Sequence, residues 1–376
     1  MAYGTDASWA RYQHGIDFII AARRVHWPLA VLALVLCLVL VGLVIAGRRR
    51  AWWLIGLAPV MALFVHRFVA DPANQFRVIE EPNFASATDS SKFVKDSDWV
   101  VGLRFGEEDY AYPYAALFET PVVLQTDHDR RLALLWSAYA NRAVAVQVGR
   151  DVRASDLEVV SMPANALLVY NRRNGQFING ITGLTPKGTS PDGFKDGIPV
   201  AKSTWKDWQS AHPDTKVLVP LGSLNPASPR TPLQPTLPMP PGADEKDFPI
   251  AVVTGAGIKP VAVESRSITS VPMNLTGDDA PALLFRDASG LPRAFARKVD
   301  DLRPHFRAVT ERDRKNHPKA AFLDADTGAG WDRNGVAVDG PQEMRGKRLP
   351  RLVVEDGLSS RVMRYWFPGM RIVSGQ

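Results

Sequence analysis

The chain has 376 residues, a formal charge of +6 and a single cysteine, Cys37. One cysteine excludes an intrachain disulfide, a cysteine-based zinc site and an exposed redox pair. The charge is modest and spread out, with clusters at 48–50 and 345–351, and no basic stripe is interleaved with stacking aromatics; a nucleic-acid partner is therefore not expected.

Residues 1–26 place Trp9, Tyr12, Ile16, Ile19 and Ile20 at roughly helical spacing. An amphipathic helix in the lipid interface and a short helix packed on protein both give that pattern. Residues 27–47 (WPLAVLALVLCLVLVGLVIAG) carry no charge. At about 1.5 Å per residue they are long enough for the hydrocarbon core of a bilayer. A signal peptide would need a shorter apolar core and a small-residue cleavage site, so a retained membrane helix is expected. Arg48-Arg49-Arg50 then makes a positive turn. Residues 51–70 (AWWLIGLAPVMALFVHRFVA) form a second apolar segment, with Pro59 at its middle and Trp52 and Trp53 placed as an interfacial belt. Residues 27–70 thus read as a transmembrane helical hairpin. Arginines 48–50 in the cytoplasm send the N-terminus and everything after Asp71 to the outer side, a periplasm or cell-wall space. Arg23-Arg24 and Arg67 run against that orientation. The implied partner is a lipid bilayer, with other membrane-protein subunits as a second class.

Residues 71–97 are a polar connector. Residues 98–113 (DWVVGLRFGEEDYAYP) predict strand, turn and strand, and 132–148 (LALLWSAYANRAVAVQV) predict a hairpin. In 166–183, Asn174-Gly175 is a two-residue turn signal between apolar strands. Residues 203–210 (STWKDWQS) predict a short helix capped by Ser203 or Thr204, with Trp205 and Trp208 on one face. His212-Pro213-Asp214-Thr215 ends it. The proline-rich stretch 222–248 is an extended linker or surface wrap. Beyond it, 249–265, 282–299, 321–341 and 364–370 repeat the earlier order of patterns. The expected fold is mainly β (α+β): two diverged β-rich repeats, 98–221 and 249–376, behind the membrane hairpin.

The order of VVGLRFGEEDYAYP, LLVYNRRNGQFINGITG, STWKDWQSAHPDTKVL and FLDADTGAGWDRNGVAVDGP resembles the bacterial family catalogued as domain of unknown function 3179. The positions concerned include Tyr112, Pro113, Ser137, Ala140, Asn141, Gly175, Trp205, Trp208, His212, Asp214 and Trp331. The resemblance implies a Tyr-Cys-Pro-Leu-Cys stretch where this chain has Trp136-Ser137-Ala138-Tyr139-Ala140, and a histidine where it has Phe118-Glu119-Thr120-Pro121. If those cysteine and histidine positions form a metal or redox site in other members, this chain lacks the residues for it.

Other clusters read as structural. Asp127-His128-Asp129 cannot converge on one point and leads into Arg130-Arg131, so it is expected as a solvated turn. Glu107, Glu108 and Asp109 are adjacent, whereas acid–base pairs oppose one another around a substrate. His212 is expected to end a helix, His305 and His317 to lie on the surface. Trp205, Trp208, Trp331 and Trp366 are expected in core packing, with the lining of a ligand groove as the alternative. No nucleophile elbow, HExxH, P-loop or dinucleotide fingerprint occurs. The expectation is a membrane-anchored extracytoplasmic protein with no catalytic residue, cofactor or metal ligand, acting as a binding or accessory subunit. The alternative is an enzyme, or a metal- or redox-linked protein, with its site relocated within the β-rich part, to His128, His212 or the acidic turns.

Overall fold

A computed structural model of the chain describes residues 6–47, 51–243, 246–255, 258–275, 281–288 and 290–373. The turn at 48–50 and positions 256–257 lie outside the described residues, as do the side chains at 53, 66 and 67. The fold is mostly β, with several sheets, a few short helices and one long N-terminal helix.

That helix, Gly15–Ile45, runs 31 residues through Pro28 and is long and apolar enough to cross a membrane. Its outer half presents apolar side chains all round, with Leu34, Leu36 and Leu38 exposed and Ile45 81% exposed. Its first turns instead dock on protein: Ile19 is buried with Val160, Leu168 and Phe177. The second apolar segment differs from a continuous span. It divides into a 3-10 helix, Ala51–Gly56, and an α-helix, Leu57–Ala70, of 14 residues. Alone, that α-helix covers about 21 Å, short of the roughly 30 Å hydrocarbon core. Among the described residues there is therefore one helix of membrane-spanning length, and the hairpin of two is not shown.

The chain forms two compact units, each assembled from separated stretches. The first comprises Met1–Phe84, Tyr114–Gly197 and Leu218–Asp244; the second comprises Ala85–Pro113, Ile198–Val217 and Glu245–Gln376. In the first unit, Val122–Asp127, Arg130–Ser137 and Arg142–Val148 pair antiparallel in succession, and Val78–Glu80 joins parallel to Val122–Asp127. A three-stranded sheet, Leu157–Ser161, Leu168–Asn171 and Gln176–Asn179, completes the core, where Val122, Leu135, Val146, Val159 and Ile178 pack together. The turn at Asn174-Gly175 is longer than two residues. Asn171 pairs with Gln176, and Gly175 takes the left-handed conformation at φ +72° that favours glycine. The proline-rich stretch wraps this unit: Asn165 donates to Leu237 O at 3.0 Å and accepts from Leu237 N at 3.0 Å.

In the second unit, Val200–Thr204 pairs antiparallel to Trp99–Phe105, which pairs antiparallel to Glu108–Pro113, which pairs parallel to Lys216–Leu218. The same order of pairings recurs in Arg351–Ser359, Pro249–Gly255, Ile258–Glu264 and Ile372–Val373. In both sets a short capped helix links the first strand to the last. Thr204 caps Trp205–Ala211, and Ser359 caps Ser360–Trp366.

Candidate functional site

The positions singled out in the sequence fall into two groups, one in each unit. In the first unit, Ser137 and Ala140 lie in the hairpin, where a 3-10 turn, Ala138–Ala140, joins the strands. Asn141 closes the turn at φ +48°, the left-handed region that asparagine tolerates better than most residues. Ser137, Ala138, Ala140 and Asn141 are all buried. The Ser137 hydroxyl accepts the Leu167 N–H at 2.9 Å, and the Tyr114 hydroxyl donates to Asn141 Oδ1 at 2.8 Å. Trp136 packs on Tyr114 with ring centroids 4.9 Å apart. A Cβ added at Gly180 would stand 2.9 Å from Ser137 Oγ and 2.7 Å from Leu167 Cβ. The loop is close-packed core. Its hydroxyl and amide serve backbone and tyrosine, and it presents no general base or thiol. Gly175 lies on the separate turn described above.

In the second unit, Tyr112 and Pro113 are buried on the strand Glu108–Pro113, where burial raises the Tyr112 phenol well above its ordinary pKa, Tyr110 adding to the shift. Trp205 and Trp208 pack with Val100, Ala111 and Val217. Trp331 is fully buried against Phe306 in another part of the unit, and Asp214 is exposed. His212 is the C-cap of Trp205–Ala211. It also does something sequence reading missed: its Nδ1 lies 2.9 Å from Asp109 Oδ2, and its ring stacks on Trp208 at 3.9 Å. The Trp208 indole donates to Thr215 Oγ1 at 3.0 Å, which fixes the stack from the other side.

Gly102 makes room for this arrangement. A Cβ there would meet the Trp208 ring at 2.3 Å. A glycine inside an apolar strand is a signal of such close approach. Gly102→Ala is therefore expected to lower stability by about 1–3 kcal/mol, because the ring must leave its place between His212 and Thr215. Gly197→Ala, whose nearest neighbour would be a backbone oxygen at 3.9 Å, serves as the tolerated comparison. Urea unfolding midpoints of the two variants check this.

Beside this cluster lies a cleft of about 310 Å³, lined by Gly102–Arg104, residues of Val200–Thr204, the face of Trp205–Ala211 with His212, and parts of Pro292–Ala296 and Arg351–Ser359. Its charged lining is uneven: Arg104, Lys202, Arg293 and Arg351 against one carboxylate, Asp207. The remaining candidates stand outside it. His128 is exposed beside Asp127, and His305 and His317 belong to a different stretch of the unit.

Comparison with the curated proteins and with the solved structures finds no match. A family model described as protein of unknown function (DUF3179) matches residues 74–367, most of the chain and all of the strands that build the hairpin loop and the cleft. The chain belongs to the DUF3179 family.

Proposed function

We propose that the protein is anchored in a membrane by two apolar legs and holds its β-rich part outside the cytoplasm, as a non-catalytic binding or accessory subunit. The observation that carries the non-catalytic reading is the close-packed loop at Ser137–Asn141, where the family resemblance implies thiols and this chain has buried Ser137 and Ala140.

The anchoring reading is supported by where the legs begin and end. The outgoing helix leaves the first unit at Arg23, and the returning segment re-enters it at Asp71, with Arg23 Nη1 and Asp71 Oδ2 3.2 Å apart. From Arg23 to Ile45 the helix rises about 33 Å. The returning 3-10 and α segments together also cover about 33 Å. Two legs of equal length with their feet together fit a bilayer core of roughly 30 Å. Arg23 is buried and neutralised, so it does not count against the positive-inside orientation. The recurring order of strand pairings supports descent of the two β-rich parts from one duplicated unit.

The test uses the full chain in cell membranes. Alkaline carbonate washing is expected to leave it in the membrane pellet. In a Cys37→Ala background, Ser91→Cys is expected to react with an impermeant maleimide from the outer side, and Arg49→Cys only after lysis. Release by carbonate, or the reverse labelling, overturns the proposal.

A second reading rests on the His212–Asp109 pair beside the cleft: an enzyme whose site lies there. Turnover by the purified full chain that disappears in His212→Gln and in Asp109→Asn would establish it.

A further inference from the structure

We propose that the cleft bordered by Arg104, Lys202, Arg293 and Arg351 binds a small oxyanion, a solute presenting a carboxylate or phosphate group. The proposal rests on the binding half of the reading above and is independent of the membrane anchor.

Three observations carry it. The residues lining the cleft include four cations, Arg104, Lys202, Arg293 and Arg351, and one carboxylate, Asp207, whose Oδ2 accepts from the Thr204 hydroxyl at 2.5 Å. The excess of positive charge among these residues disfavours a cation in the cleft and favours an anion.

Second, two of the cations are held together by the sheet. Ala294 pairs with Leu352 and Phe295 with Arg351, which puts Arg293 and Arg351 diagonally on the same face of neighbouring strands. Arg293 has a partner, its Nε lying 2.7 Å from Asp287 Oδ2. Desolvation and Arg293 lower the pKa of Arg351, with Asp287 opposing. A planar oxyanion offers Arg351 the paired acceptors that a guanidinium fits best.

Third, Ser203 lines the same cleft at 7% exposure, and its hydroxyl is buried without a hydrogen-bond partner. A buried donor left unpaired is costly, and an oxyanion oxygen would satisfy it. The volume, about 310 Å³, is at the lower end of small-molecule sites and suits a compact solute.

The test is calorimetric titration of the full chain in a neutral detergent at low ionic strength, with inorganic phosphate and with succinate as probes. Saturable one-site binding of at least one probe is expected, weakening as sodium chloride is raised. Arg351→Gln is expected to weaken it by about tenfold or more, and Arg293→Gln with Arg351→Gln to abolish it. Arg266→Gln, an exposed arginine of the same unit paired with Glu264, is expected to leave it unchanged. Unfolding midpoints of each variant separate lost binding from lost fold. A parallel arm measures binding to vesicles of neutral lipid with and without anionic lipid. Arg351-dependent binding to the anionic vesicles alone would identify a lipid headgroup as the source of the oxyanion. No Arg351-dependent binding in either arm overturns the proposal. Such a failure with carbonate resistance intact would remove the ligand and leave the anchor standing.

Discussion

Glu158→Gln is expected to destabilise the first unit by about 3–5 kcal/mol, the range for breaking a buried ion pair from one side. Glu158 is 4% exposed and serves two arginines at once. Its Oε1 accepts from Arg23 Nε at 2.6 Å, and its Oε2 from Arg172 Nε at 2.7 Å. Asp71, immediately after the helix Leu57–Ala70, completes the network 3.2 Å from Arg23. A glutamine keeps the shape but removes the charge and turns an amide donor toward a guanidinium. Arg23, itself buried, then has only Asp71 to neutralise it. Removing both charges is a different matter: Arg23→Met with Glu158→Leu is expected to recover part of the loss, because the fully buried pair leaves together, while Asp71 and the more exposed Arg172 each lose a partner. Urea unfolding followed by limited proteolysis checks both. In Glu158→Gln the junction between helix and sheet is expected to be cut first. Equal stability of wild type and Glu158→Gln would show that the network does not hold the helix to the unit.

Sequence reading reached the strands because their signals are local. The alternation in 132–148, the turn after Phe105 and the capping threonine before Trp205 each lie within a few residues of what they specify. It reaches the long apolar N-terminal helix for the same reason. The second apolar segment reads as one span because composition alone does not distinguish a 3-10 turn from the α-helix that follows it.

What escaped was made by partners far apart in the chain. Arg23 looked like a charge opposing the membrane orientation, yet it meets Glu158, 135 residues away. Asp109 looked like one of three turn acids, and its partner His212 is 103 residues away. Arg351 reads as the end of the basic cluster at 345–351 and Arg293 as dispersed charge; only the register of their strands places them on one face. The interleaved units have the same origin, since the parallel pairing of Lys216–Leu218 to Glu108–Pro113 draws the ends of a long stretch together and leaves its middle elsewhere. Gly102 was the one legible clue to the cleft: a glycine amid apolar strand residues asks what approaches it, and the answer is Trp208.

Trp136→Ala is expected to cost about 3–5 kcal/mol, the range for removing a large aromatic from a packed core. Trp136 is 1% exposed, immediately precedes Ser137, and packs on Tyr114, whose hydroxyl holds Asn141 at the far end of the turn. Losing the indole opens a void behind the loop and frees Tyr114, so the Asn141 contact weakens with it. One term runs the other way: the Trp136 Nε1–H is buried without a partner, and its removal relieves a penalty of about 1–3 kcal/mol. Trp136→Phe separates the two effects. It keeps most of the ring and discards the unpaired donor, so a loss near 1 kcal/mol or less is expected, well below that of the alanine variant. Chemical denaturation of the full chain in detergent, read through near-ultraviolet circular dichroism, reports both. The comparison bears directly on function. If the loop lay beside an open pocket, the alanine variant would add little new void and its loss would fall to that of Trp136→Phe. A loss several-fold larger for alanine is what a close-packed loop requires, and with it the reading that chemistry in this chain does not reside at Ser137–Asn141.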